Sequence, residues 1–378
     1  MAVTSICFLS SQHPPRDKRV FDKEAVSLAA AGLEAIHIAP GPEGSTRESG
    51  VKIITYGGAS RLRRLPLLYR LAKQTNADVY HCNELDSWIV GLGLKLFCGK
   101  RVVFDVHEHY TSRFAERFFP KALHPAAAAF MRTVMALLAR PTDRLVLAKR
   151  SVAADFPGSK NKQVLVQNFT RMSVNGSDNR DGADSTRNSS GIVTAIHLGL
   201  ISKLRGWPQL VEALRLVDSA ELRLHIVGEF NDGSQPEFER AIDDLGLRDR
   251  IVIEPWMRFE EAYKRIRAAD IGLILFQPGI GNHQFALPHK LFDYMLAGLA
   301  VVAPHFAEEV SSIVLESDCG LLVDTSNPQD IARALNKLLR DPEERKRLGR
   351  NGTSAVLERY NWECEAEKLV HMYHDMEP

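Results

Sequence analysis

The feature that most restricts this chain is an alternation, run through twice, of short apolar segments with helical ones. In the front half, Ser5–Ser10, Ala35–Ala39, Lys52–Thr55, Asp78–Cys82, Arg101–Val106, Arg144–Ala148 and Gln163–Val166 have the length and apolar content of strands. Between them, Val20–Ala31 carries Val20, Phe21, Ala25, Leu28 and Ala29 at helical spacing and stops at Gly32; Asp86–Leu96 is a second helical stretch. Residues 172–190, rich in Asn, Ser, Asp and Gly, break the pattern and read as a linker. A second series follows, with strands expected at Ile192–Leu198, Leu222–Val227, Ile251–Ile253, Ile271–Phe276, Ala300–Ala303 and Gly320–Val323. Strands that alternate with helices join through right-handed crossovers, so each series predicts a parallel sheet with helices on both faces. The expected fold class is therefore α/β, with two doubly wound, Rossmann-like domains in tandem. The first spans residues 1–185 and the second begins at 186. Such sheets bind ligands beyond the carboxyl ends of their strands, which makes a cleft faced by both domains the expected site.

A length of 378 residues suits two domains of this size. With 45% hydrophobic and 25% charged residues, the chain is not a disordered, fibrous or disulfide-scaffold protein. Its net charge of +1 gives no footing for nucleic-acid binding. The balance is uneven, however. Residues 1–185 hold 26 Lys and Arg against 17 Asp and Glu, or +9, and residues 186–378 hold 22 against 30, or −8. An acidic substrate or an anionic membrane surface would meet the front half. Two basic, amphipathic segments there, Arg61–Lys73 and Phe114–Arg140, are the candidates for membrane contact. Five widely spaced cysteines without a C-x-x-C pair read as reduced thiols. Met1–Ser10 reads as a strand rather than a signal peptide, and no stretch is expected to reach the roughly 18 uncharged apolar residues of a spanning helix. The expectation is a cytoplasmic protein with, at most, peripheral contact at the inner face of a membrane.

The segment Asn282–Pro304, NHQFALPHKLFDYMLAGLAVVAP, carries the most chemistry. Pro288 suits the first position of a helix that ends at Gly298. The free N–H groups of such a start bind phosphate, and Lys290 in the first turn adds a charge. Asp293, one turn on, has the place to accept hydrogen bonds from two ribose hydroxyls. The plain alternative is an ordinary capped helix with a solvated Lys and Asp.

ALPHKLFDYMLAGLAVVAP resembles the donor-binding helix of glycosyltransferase family 4, whose fold is GT-B. HPPRDKRVFDKEAVSLAAAG (13–32), VYHCNELD (79–86), VVFDVHEHY (102–110), HLGLISKLRGWPQLVEAL (197–214), LHIVGEF (224–230) and ADIGLILFQP (269–278) resemble other parts of that family, in the same order. The resemblance covers nearly all the chain except the linker.

It implies a retaining transfer of a sugar from a nucleotide sugar to a glycan or lipid-linked acceptor, with no bound metal and no cofactor. Uracil and guanine both stay open as the base, with a UDP-sugar the favoured donor. Arg205 and Lys290 match the cations set against the pyrophosphate, with Lys203 a third candidate; such charges offset a leaving group where no metal does so. Asp293 stands where the family has a ribose-holding Glu, and Phe285 replaces a second Glu, which puts the identity of the sugar in doubt. Pro288, His289, Trp256 and Met257 complete the expected donor site. His107 matches a family histidine near the reacting sugar and would orient it. His13, Asp17, Arg19, His81 and Asn83 are the candidate acceptor contacts. The family also implies that a last helix, about 362–378, crosses back to the first domain. Two rivals share the fold class: a sugar-nucleotide epimerase and a non-catalytic nucleotide-sugar binder.

Overall fold

The computed structural model describes residues 3–57, 61–172, 191–219 and 221–376. The chain divides into two compact units, Met1–Asn168 with Trp362–Pro378, and Phe169–Asn361. The expected boundary after residue 185 thus moves forward. Phe169 packs on Phe292 and Tyr360, with ring centroids 4.6 and 5.4 Å apart, and Thr170 bridges to Asn361, which binds these residues to the second unit. From residue 173, the polar segment 172–190 lies outside the described residues.

The first unit holds eight strands: β1 (Ser5–Leu9), β2 (Glu34–Pro40), β3 (Gly44–Glu48), β4 (Val51–Tyr56), β5 (Val79–Cys82), β6 (Arg101–Val106), β7 (Arg144–Leu147) and β8 (Gln163–Leu165). Their order is β3-β4-β2-β1-β5-β6-β7-β8, parallel apart from the β3–β4 pair. Strand β3, a polar edge hairpin, is absent from the sequence expectation because it buries no apolar face. The first crossover opens as a π-helical turn, Val20–Ala25, and continues as α1 (Val26–Ala30). Helices α2 (Arg61–Thr75), α3 (Leu85–Cys98), α4 (Tyr110–Phe118) and α5 (His124–Ala139) follow. Side chains of α2, α3 and α5 pack on one face of the sheet, and those of α1 and the C-terminal helix Trp362–His374 on the other.

The second unit has six parallel strands: β9 (Val193–Leu198), β10 (Leu222–Val227), β11 (Ile251–Glu254), β12 (Ile271–Leu273), β13 (Ala300–Pro304) and β14 (Gly320–Val323). Their order is β11-β10-β9-β12-β13-β14, with apolar cores on both faces. In each unit the strand order reverses once, at β1/β5 and at β9/β12; in sheets of this kind ligands bind beyond the carboxyl ends of the strands at such a switch. The five cysteines are all free.

One expectation changes here. A helical run, Lys121–Ala139, is by length and composition apolar enough to cross a membrane, with a mean hydropathy of 1.4. Lys121 and Arg132 lie within it, so a strictly uncharged window does not find it. Ala127, Met131, Met135 and Ala139, four residues apart, make its buried stripe; Phe130 and Leu137 face outward.

The C-terminal helix is held by Trp362, which is 1% exposed, donates its indole N–H to Ser27 Oγ at 2.9 Å and lies under the Lys23 ammonium. Trp362→Ala is expected to destabilise the first unit by about 3–5 kcal/mol, read as a lower urea midpoint at an unchanged slope.

Candidate active site

The second unit gathers two cations at its switch point. The loop after β9 turns through Lys203–Arg205, where Ser202 Oγ accepts from the Arg205 N–H at 3.2 Å. Gly206 follows at φ +83°; a Cβ there would lie 2.3 Å from the Leu275 carbonyl oxygen, so only glycine lets this loop close on the end of β12. The turn sets the Arg205 guanidinium 5.3 Å from the centroid of Phe276. The Lys290 ammonium sits 5.7 Å from the same ring and donates to the Leu198 carbonyl at 2.9 Å. His283 stacks on Phe276 at 4.9 Å. Neither cation pairs with a carboxylate among the described residues. Burial, first, and the Arg205 charge, second, push the Lys290 pKa down to about 7. Burial also lowers that of Arg205. An anion placed here would reverse both effects.

Lys290 lies in the first turn of an eight-residue helix, His289–Leu296, and Pro288 is its N-cap rather than its first residue. Tyr294 of this helix accepts from the Leu198 N–H at 2.9 Å, so Tyr294 and Lys290 both fasten it to the end of β9. Asp293 is 1% exposed, and one of its oxygens accepts from the Thr170 hydroxyl at 2.8 Å. Lys203 is not brought to the pair of cations: its ammonium meets Glu237 at 2.6 Å. Phe285 and His289 are half-buried nearby in sequence. Past β11, Trp256 stands 69% exposed, while Met257 packs against the core.

In the first unit the loop after β1 folds over Glu84, the N-cap of α3. This carboxylate accepts the N–H groups of Ser11, Gln12 and His13 at 3.0 Å and the His13 ring at 2.6 Å. Burial would raise the Glu84 pKa, but the His13 ring and these N–H groups hold it down at about 2. Burial would lower that of His13, but Glu84 outweighs it and the pKa is raised. The His107 ring lies 5.1 Å from the His13 ring, and its Nε2 meets Asp105 at 2.5 Å. Both rings line a cavity of about 480 Å³ with Arg113, Arg117, Phe114 and Phe118.

Four candidate acceptor residues play other parts. Arg19 is 4% exposed; it forks onto Asp105 at 2.8 and 2.9 Å and donates to the Val166 carbonyl at 3.1 Å. Asp17 accepts the N–H groups of Arg19 and Val20 and closes the loop. His81 is fully buried, stacked on Phe8 and bonded to Tyr373 at 2.5 Å. Asn83 is fully buried and donates to Leu9 and Ser10. All four are engaged by neighbouring groups of the protein, and none lines the cavity. Glu24, His81 and Asp105 place ligand atoms within 4.8 Å of one another, but Arg19 takes both oxygens of Asp105, so the cluster suits a guanidinium and not a metal ion. Sequence reasoning missed Phe276, Asp105 and Glu84. The signal for Asp105 was present: a charge inside the buried run VVFDV must have a partner.

Two family models match, "Glycosyltransferase Family 4" over residues 19–160 and "Glycosyl transferases group 1" over residues 184–355. Among curated relatives, the chain is 28% identical to the lipopolysaccharide core biosynthesis glycosyltransferase LpsD of Rhizobium meliloti over 57% of this chain and 58% of the relative. It is 27% identical to D-inositol 3-phosphate glycosyltransferase of Xylanimonas cellulosilytica over 46% of this chain and 40% of the relative. It thus spans about half the length of the curated relatives it matches. Solved structures share the fold along the whole chain. Sucrose-phosphate synthase of Thermosynechococcus elongatus matches at a TM-score of 0.76 and 16% identity, covering 99% of each chain. HepE of Anabaena, solved in complex with UDP, matches at 0.74 and 14% identity, covering 98% of this chain and 100% of that one.

The Lys290 pKa gives a pH signature. Its buried amine is neutral above about pH 7, and a bound diphosphate restores the charge, so binding takes up a proton at higher pH. The Kd for inorganic pyrophosphate is expected to rise several-fold between pH 7 and 8.5, by calorimetry in two buffers of different ionisation enthalpy. In Lys290→Met the proton uptake disappears.

Proposed function

Because the chain belongs to glycosyltransferase family 4 and has the GT-B fold, we infer that it transfers a sugar from a nucleoside-diphosphate sugar to a glycan or lipid-linked acceptor in surface polysaccharide or glycolipid assembly. The observation that carries this reading is the convergence of Arg205 and Lys290 on Phe276 with no carboxylate to neutralise them among the described residues. A buried lysine and a half-buried arginine so placed call for a dianionic partner, and a diphosphate leaving group is one. They also supply the charge that a metal ion supplies elsewhere, which supports a metal-independent reaction. UDP is the favoured nucleotide, in keeping with the UDP bound in the Anabaena HepE structure, and stereochemistry is retained.

On the first unit, the cavity beside His107 is the acceptor site. Its aromatic wall continues outward: Phe114 lies 5.4, 5.6 and 6.4 Å from Phe118, Phe119 and Phe130, the last of which is exposed on α5. An apolar path from the cavity to the outer face, flanked by Arg113 and Arg117, suits an acceptor with a lipid tail. Peripheral contact with an anionic membrane at the cytoplasmic face follows from the same surface. Phe285, in place of a second Glu, favours one alternative, a protein that binds the donor without turning it over.

The test uses UDP, GDP and their sugars with EDTA present. UDP is expected to raise the melting temperature by about 2 °C or more at 100 times its Kd. Arg205→Ala and Lys290→Ala remove the shift, and Arg205→Ala lowers the rate of UDP release from UDP-glucose about 10²- to 10³-fold. No shift with any nucleotide sinks the reading; a shift without turnover of any sugar leaves the binder.

A further inference from the structure

Behind His107 the first unit buries a set of charged groups that the family assignment does not use. Asp105 is fully buried on β6. One of its oxygens meets both Arg19 Nε, at 2.9 Å, and His107 Nε2, at 2.5 Å; the other meets Arg19 Nη2 at 2.8 Å. Arg19 can be there because the chain enters the first crossover as a π-helical turn, started by the two N–H bonds to Asp17. Arg19 also reaches Glu24 at 3.0 Å.

The charge states follow from this arrangement. Burial would raise the Asp105 pKa, but Arg19 and His107 outweigh it, so Asp105 stays ionised. Glu24 has the opposite balance: burial exceeds the help of Arg19, and its pKa is raised. The fork of the guanidinium is thus taken by Asp105, with Glu24 a side contact whose pKa burial pushes up.

An ionised carboxylate can only accept. The Asp105 contact therefore requires a proton on His107 Nε2, and in the neutral ring Nδ1 then carries the lone pair. Nδ1 has no protein partner among the described residues, and the ring borders the cavity. Across from it, His13 turns its Nδ1 to the Glu84 carboxylate, which holds that ring at the edge of the same cavity.

We propose that Asp105, backed by Arg19, fixes His107 as the Nε2–H tautomer, so that its Nδ1 accepts a hydrogen bond from a hydroxyl of the acceptor. A lone pair at the edge of the cavity matches a sugar or polyol hydroxyl and mismatches a bare phosphate, which needs donors. Asp105 and Arg19 are positioning residues in this scheme, which rests on the glycosyltransferase reading for the identity of the hydroxyl.

The tautomer is measurable without activity. Long-range proton–nitrogen NMR on ¹⁵N-histidine protein distinguishes the two tautomers, and among 13 histidines the His107→Gln variant assigns the signal. The neutral ring of the wild type is expected to show a protonated Nε2 and a bare Nδ1; a neutral ring protonated on Nδ1 overturns the proposal. Asp105→Asn is expected to mix or invert the tautomers and to lower the rate of UDP release from UDP-glucose at least tenfold, with the Kd for UDP changed less than twofold. Glu24→Gln, which removes a carboxyl beside Arg19 but leaves the Asp105 contacts to Arg19 and His107, is expected to leave the His107 spectrum as it is and controls for folding. Asp105→Asn with an unchanged tautomer and an unchanged rate overturns the proposal. Failure of the wild type to bind any nucleotide sinks the glycosyltransferase reading instead, and the NMR result stands apart from it.

Discussion

The forked pair between Arg19 and Asp105 is the contact on which the first unit is organised. A carboxylate fully buried in the middle of a sheet costs several kcal/mol unless its partners are close and well aimed. The fork meets that cost with two charge-assisted bonds in one plane. It stands at the π-helical entry into the first crossover, and the same carboxylate sets the aim of His107. Arg19 also donates to Val166, just past β8, so the same side chain ties the loop after β1 to the far side of the sheet.

The second unit follows the opposite electrostatic rule. There the cations stand against an aromatic face and a backbone carbonyl rather than against carboxylates. A lysine whose pKa falls to about 7 is held in a state that a ligand can change. The first unit thus balances its buried charges internally, and the second leaves the balance to what it binds. Glu84 and His13 lie between these extremes: a fully engaged carboxylate holds a ring at the edge of the cavity.

The fold was legible because both periodicities are strong and undisturbed by function. Three strands have their predicted limits, at β6, β10 and β14. The polar edge strand β3 left no apolar trace. The second-unit site was legible as residue types in order, since Arg205 and Lys290 sit on loops and helix starts, where local sequence sets position. What could not be read was their shared ring: Phe276 looks like one more apolar residue in a strand. The first unit misled for a related reason. Its strands are covered on both faces, so β5 buries all four of its residues and the inward polar ones carry no alternating signature. His81, Asn83 and Arg19 therefore look like exposed chemistry, while their partners are dozens to hundreds of residues away.

The return of helix Trp362–His374 to the first unit fixes an order of events during synthesis. The 193 residues of Phe169–Asn361 must leave the ribosome before this helix does, an interval on the order of 10–40 s at typical elongation rates. Over that time the nascent first unit has its sheet but not its seal. Phe21, Leu28 and Val166 lack their apolar cover, and His81 lacks Tyr373. Chaperones therefore meet an unsealed first unit beside a second unit whose own core is already whole. A premature stop just before Trp362 would spare the second unit and disable the first.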